Sequence, residues 1–248
     1  LAKVNVLPDA KLADGVIYTS ERIMHDEDLL VADRKTAQML NMDLSEYYEK
    51  ETIIRKDASI YFVVNMSNLN LRYELNKDEN AIKKLDDLKD FLAKEWKIKD
   101  IKINAWASPE GEESFNQGLS DRRSKTAHQY MLDYFKKYAR EKAKELKIRV
   151  KDVEMQEVEY ILDARGEDWD GFMKAVQASS IPDKNIILNV VKSQSDVAKR
   201  EQEIRNMTVI YEEIADLILP PLRRAEITVS CFEPKKTDEE IARLSTTH

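Results

Sequence analysis

The eighteen residues from Ala107 to Ser124, ASPEGEESFNQGLSDRRS, put a proline–glycine turn, a helix start and two adjacent arginines in one short stretch. The chemistry this combination offers is anion capture. The first turn of a helix leaves backbone N–H groups free and carries about half a positive charge. A guanidinium adds a planar fork that grips a carboxylate at two points. A helix started by EESF puts Arg123 about two to three turns in; a chain that enters the helix only near Asn116–Ser120, with Ser120 as a candidate cap, puts Arg123 at the third helical position, reaching across the helix mouth. Gly111 permits the backbone of the turn. A second pair, Arg223–Arg224, suits phosphate or carboxylate in the same way. The same residues also describe a purely structural corner. There Arg122 and Arg123 pair with Asp121, Glu112 or the acidic loop GEDWDG, and Ser108 only caps its turn.

Other chemistry is thinly represented. Glu167, Asp168 and Asp170 have the types of a general acid/base pair, but they equally describe a capped helix start with Trp169 as packing anchor. The lone cysteine, Cys231, lies in an apolar strand-like run and reads as a buried thiol. His25, His128 and His248 are far apart, so no metal-ligand set is visible. No nucleophile–base pair or phosphate loop is present. A non-catalytic protein without a cofactor is expected.

Composition narrows the partners. The chain has 248 residues, 42% apolar and 35% charged, with a formal charge of −7. That balance suits a folded domain and disfavours nucleic acid, which needs a basic stripe. The basic run KKYAREKAKELKIRVK reads as a solvated helix face. The longest apolar run, IADLILPPL, is far short of the ~18–20 residues of a membrane span, so no transmembrane segment is expected.

The elements that must position the corner follow from periodicity. ASIYFVVNM reads as a buried strand, and a helix capped by Asn76 or Asp78 runs on to about Trp96. IKDIKINAWA alternates into a second strand, and a long helix follows from about Glu112 to Leu146. Phe115, Leu119, Tyr130, Met131, Tyr134 and Tyr138 line its packed face. KIRVKDVEMQEVEY reads as a third strand and LDARGEDWDG as a turn. Helices capped by Asp168, Asp183 and Asp196 come next, the last running unbroken to two prolines. RRAEITVSCF closes the sheet. Residues 1–57 are less periodic, with two strand-like runs and a short helix capped by Asp43 or Ser45. The order predicts a two-layer α/β (α+β) sandwich, β-α-β-α-β-(helical insertion)-β, with one face of a mixed sheet covered.

On these residues the chain resembles the OmpA-like domains that hold peptidoglycan in the periplasm of Gram-negative bacteria. Gly111, Asn116, Leu119, Ser120 and Arg123 fall in register with that family's signature, and LRRAEITV with its closing arginines and strand. The ASPEG variant and the insertion look most like Bacteroides-type cell-envelope proteins. The resemblance implies a cell-envelope module that tethers an outer-membrane-associated protein to the peptidoglycan stem peptide, with other envelope proteins as partners. It implies ligand contacts at Ser108, Asn116, Leu119, Arg123 and Arg224. The family's Asp and Thr are here Ser108 and Ala107. The anion half of the family's diaminopimelate pocket is therefore kept as Arg123, and the cation half is not. The alternative is a degenerate scaffold or protein-interaction domain that has lost this ligand. The expected organisation is an N-terminal segment, 1–57, the end of an upstream module. A domain at 58–234 carries an insertion at about 163–221, and 235–248 opens a truncated helical region, as in a piece of a longer protein.

Overall fold

In the computed structural model, which describes residues 52–182 and 184–235, the first strand, β1, runs Ile53–Tyr61. It begins five residues before Ala58, so the domain edge expected at 58 falls inside a strand. Asp78 then caps helix α1, Glu79–Leu92, accepting from Asn80 N at 2.9 Å and Ala81 N at 3.3 Å. β2 runs Ile98–Ala107 and is followed by the long helix α2, Glu113–Leu146. β3 is Tyr160–Glu167, and β4, Arg224–Phe232, closes the sheet.

The sheet order is β1-β4-β2-β3. β4 is antiparallel to both neighbours, and β2 and β3 are parallel, with Ile101 opposite Tyr160. Alternation along the strands sends Ala58, Ile60, Ile101, Ile103, Ala225 and Ile227 to one face. There they meet Leu85, Leu88 and Phe91 of α1 and Ala127 and Met131 of α2. The other face carries polar residues such as Lys102, Asn104, Glu226 and Thr228, none of them fully buried. The predicted two-layer α+β sandwich with a mixed sheet is the observed fold, and the element order is the predicted one.

Three local expectations are corrected. β3 does not lie at 147–160: residues 147–159 hold a 3-10 turn at Val150–Asp152 and irregular chain, and the strand starts at Tyr160. The polar LDAR, expected as a turn, is strand. β3 is a sheet edge, where charge is tolerated, and Asp163 pairs there with Arg165 at 2.8 Å. Phe115 does not line the packed face of α2. It is exposed, with the Arg122 guanidinium 5.7 Å from its ring centre.

The helical insertion folds around its own core. Its helices are α3, Trp169–Ala178; α4, Lys184–Ser193; α5, Val197–Asn206; and α6, Thr208–Glu213. The expected continuous last helix is broken at Met207 and ends in a widened turn, Ile214–Ile218, before the prolines. Phe172, Val176, Ile187, Val191, Ile214 and Leu219 form a cluster separate from the sheet core. Asp168 and Asp196 cap as expected. Asp183, the caps and strands expected within residues 1–51, and the tail from 236 lie outside the described residues.

Candidate functional site

The corner lies where β2 ends, α2 begins and β4 starts. Gly111, at φ +94°, makes the turn that its lack of a side chain permits. Helix α2 starts at Glu113 with Glu112 as its flanking residue, and no side chain caps it. Ser120 is therefore already helical: its hydroxyl donates to Gln117 O at 2.8 Å and accepts from Gly166 N at 3.0 Å. Arg123 sits about three turns in, not in the first.

That displacement decides what Arg123 does. It has no exposed surface, and all three hydrogen-bonding nitrogens meet backbone carbonyls. Nε donates to Met66 O at 3.0 Å, Nη1 to Trp106 O at 2.9 Å and Nη2 to Val63 O at 3.3 Å. Its guanidinium lies 5.2 Å from the centre of the Phe62 ring. Burial, with repulsion from Arg223, pushes its pKa down to about 10, so it stays charged near neutrality. The expectation of a guanidinium reaching across the helix mouth is not met. Arg123 fastens the loop after β1 to the end of β2.

The other polar groups at the corner also have internal partners. The Ser108 hydroxyl, buried, donates to Glu110 Oε1 at 2.5 Å and accepts from Arg223 Nε at 3.2 Å. Arg223 grips the same Glu110 oxygen through Nε at 3.0 Å and Nη2 at 2.8 Å. Arg224 Nη1 meets Asp168 Oδ2 at 2.5 Å, and its guanidinium stacks 4.3 Å from the Trp106 ring centre. Asn116 Nδ2 donates to Glu110 O at 2.9 Å and Glu167 Oε1 at 2.8 Å, with a longer contact to Ser108 O at 3.4 Å. Leu119 is buried. The structure thus gathers Ser108 and Asn116 with Arg223, sets Arg224 against the insertion's first helix, and places Arg123 and Leu119 inside.

A hollow of about 570 Å³ does open at the mouth of α2, between residues 111–114 and one side of α5. Its cation is Arg205, not Arg123. Arg205 pairs with Glu201 at 2.7 Å, and Glu201 Oε1 accepts from Gly111 N at 2.5 Å. Glu112, Glu113 and Glu201 face one guanidinium here. The hollow is acidic, and the turn that leads into α2 is already met by a carboxylate of the same chain. Nothing in the sequence marked Glu201 and Arg205 as residues of the corner, because α5 is brought there only by the insertion's own fold.

Glu167 and Asp168 are both engaged by partners within the protein. Glu167 accepts from Asn116 and, at 2.8 Å, from Trp169 Nε1, and burial holds its carboxyl above the ordinary range. Asp168 caps α3 through Gly171 N at 2.8 Å while pairing with Arg224. Cys231 is buried, which raises its thiol pKa. Among the described residues, no cluster of three or more metal-ligating side chains occurs, and no helix is long and apolar enough to cross a membrane.

No family model matches this chain, and no curated protein matches it. Solved structures that match include the OmpA-like domain of FopA1 from Francisella tularensis. That match has 16% identity, covers 75% of this chain and 78% of that chain, and has a TM-score of 0.32.

Proposed function

We propose that this chain is a non-catalytic cell-envelope module of the OmpA-like kind that works as a scaffold and protein-interaction domain rather than a holder of diaminopimelate. One observation carries this reading. Arg223 and Arg224 are neutralised by Glu110 and Asp168, while Arg123 is enclosed by carbonyls. A ligand carboxylate would have to displace a carboxylate already held by short bonds at almost no chain-closure cost. Glu110 stands two residues beyond Ser108, so the chain itself supplies the acid that the family position lacks, and this acid faces inward. Partners are then other envelope proteins, in the periplasm or at the outer membrane. Tethering to the stem peptide would require one of these guanidiniums to be released.

The test is co-sedimentation of the purified protein with peptidoglycan sacculi. The expected result is no more pelleting than an unrelated protein of similar charge. Pelleting that Arg223→Ala abolishes would overturn the proposal and restore the tethering role. Glu110→Ala provides the complementary arm, since it frees Arg223 at the corner.

A further inference from the structure

The two edges of the sheet are finished differently. β1, at one edge, exposes Arg55, Lys56 and Asp57 in succession. The Asn76 side chain meets its last residue as a further strand would, accepting from Tyr61 N and donating to Tyr61 O, both at 2.8 Å. Charges and a paired amide close an edge. β3, at the other edge, packs on β2 and α2, and among the described residues no strand runs along its outer side. Ile101 N bonds Glu159 O at 2.8 Å, whereas Ala164 O accepts from Gln117 Nε2 of α2 at 3.0 Å. The odd-numbered main-chain groups therefore serve β2, and those of Tyr160, Leu162 and Ala164 point away from it. Among the described residues, no partner meets the N–H of Leu162 or of Ala164. Ile161, opposite Lys102 on the open face, is 40% exposed, and Leu162, opposite Ile103 on the core face, is 38% exposed. A bare strand edge with exposed apolar side chains on both faces is a template for another strand.

The residues of this edge complement themselves. An antiparallel second copy, related by a two-fold axis through Leu162, sets Leu162 against Leu162, and the two exchange N–H and C=O groups. Ala164 N then meets Tyr160 O of the other copy. On the open face Glu159 and Arg165, both exposed, fall opposite each other twice. Other axes fit worse. An axis through Asp163 opposes two copies of one carboxylate, and an axis through Ile161 opposes Glu159 and Asp163. An axis through Ala164 brings Leu162 to Gly166, whose φ is +66° and whose N–H is taken by the Ser120 hydroxyl at 3.0 Å.

We propose that two copies of this chain pair β3 with β3 in antiparallel about Leu162, so that one sheet runs through both. The pairing does not depend on what the corner binds, and its test involves no peptidoglycan, so the two readings stand or fall separately. Sedimentation equilibrium of the full chain from ~10 µM to ~1 mM covers the affinities expected of so small a contact. The mass should rise from the 28.9 kDa of one chain towards twice that value. Leu162→Lys, which places a lysine on the exposed edge, is expected to keep the chain monomeric. Glu159→Arg and Arg165→Glu should each weaken pairing about tenfold, and the two together should restore it, because the swap keeps the charges opposed. In the unaltered chain, amide exchange at Leu162 and Ala164 should slow as concentration rises. A chain that stays monomeric at ~1 mM would overturn the proposal. So would a dimer indifferent to Leu162→Lys, exchange at these two amides that ignores concentration, or a charge swap no better than its single variants.

Discussion

Arg123 carries its charge inside the protein and meets it with main-chain dipoles: Val63 O, Met66 O and Trp106 O come from two different segments. An arginine can serve this way because its fork offers five donors in fixed directions and it holds its proton even when desolvated. Truncation would leave the carbonyls buried and open a cavity. Arg123→Ala is expected to lose roughly 3–5 kcal/mol of stability in urea denaturation, the range for a buried charged hydrogen-bond hub. Arg123→Lys keeps the charge but not the fork and should fall between. A loss below ~1 kcal/mol for the alanine variant would mean that the loop does not depend on this clamp. The sequence displayed the arginine but not its acceptors, because a backbone carbonyl has no residue identity. Glu167 gives a second prediction at this scale. Burial raises its pKa, so its contribution to stability is fully present below the ordinary carboxylate pKa of 4.5 and declines as pH rises through the raised value. Urea midpoints measured from pH 4 to 7 should therefore show this decline in the native chain and a flatter profile in Glu167→Gln. Parallel profiles would remove the burial argument.

At the scale of elements, what was legible was local. Asp78, Asp168 and Asp196 cap the helices their positions announced, since a cap needs only its own next three residues. β2 and β4 were equally plain, because a half-buried strand writes its alternation into the sequence. β3 was not. Ile148 and Val150, and Val153 and Met155, each stand two apart as strand residues do, yet the partner that makes a strand is β2, and β2 accepts Tyr160 onward. Pairing is a non-local choice, and an edge strand with charged residues gives little periodic signal. Asp168 separates local from tertiary effects within one side chain: Oδ1 caps α3 and Oδ2 pairs with Arg224. Asparagine caps as well as aspartate, so Asp168→Asn removes mainly the ion pair. Asp168→Ala removes both and is expected to be about 1 kcal/mol less stable than the asparagine variant in thermal or urea unfolding. Equal losses would assign the whole effect to Arg224.

Across the molecule as a whole the described residues hold two apolar cores, one between the sheet and α1–α2 and one within the insertion. Prominent among the links between them are polar contacts, Arg224 to Asp168 and Gly111 to Glu201, while Arg223 and Glu110 brace the corner from which the insertion leaves. Apolar burial is cooperative because each side chain packs against several others, whereas a few hydrogen-bonded ion pairs transmit little of that cooperativity. The insertion should then open as a unit of its own. Ile187 is fully buried in its centre, and a carboxylate there has no partner. Ile187→Asp is expected to abolish slow amide exchange across α3, α4 and α5 while β1, β2 and β4 keep their native protection, as read by hydrogen exchange with mass spectrometry. The pairings at the corner make the outcome informative, because loss of the insertion would uncover Arg224 but leave Arg223 with Glu110, which belongs to the corner itself. If protection of the sheet falls together with that of the helices, the two cores form one cooperative unit, and the polar joint between them is far stiffer than its bonds imply.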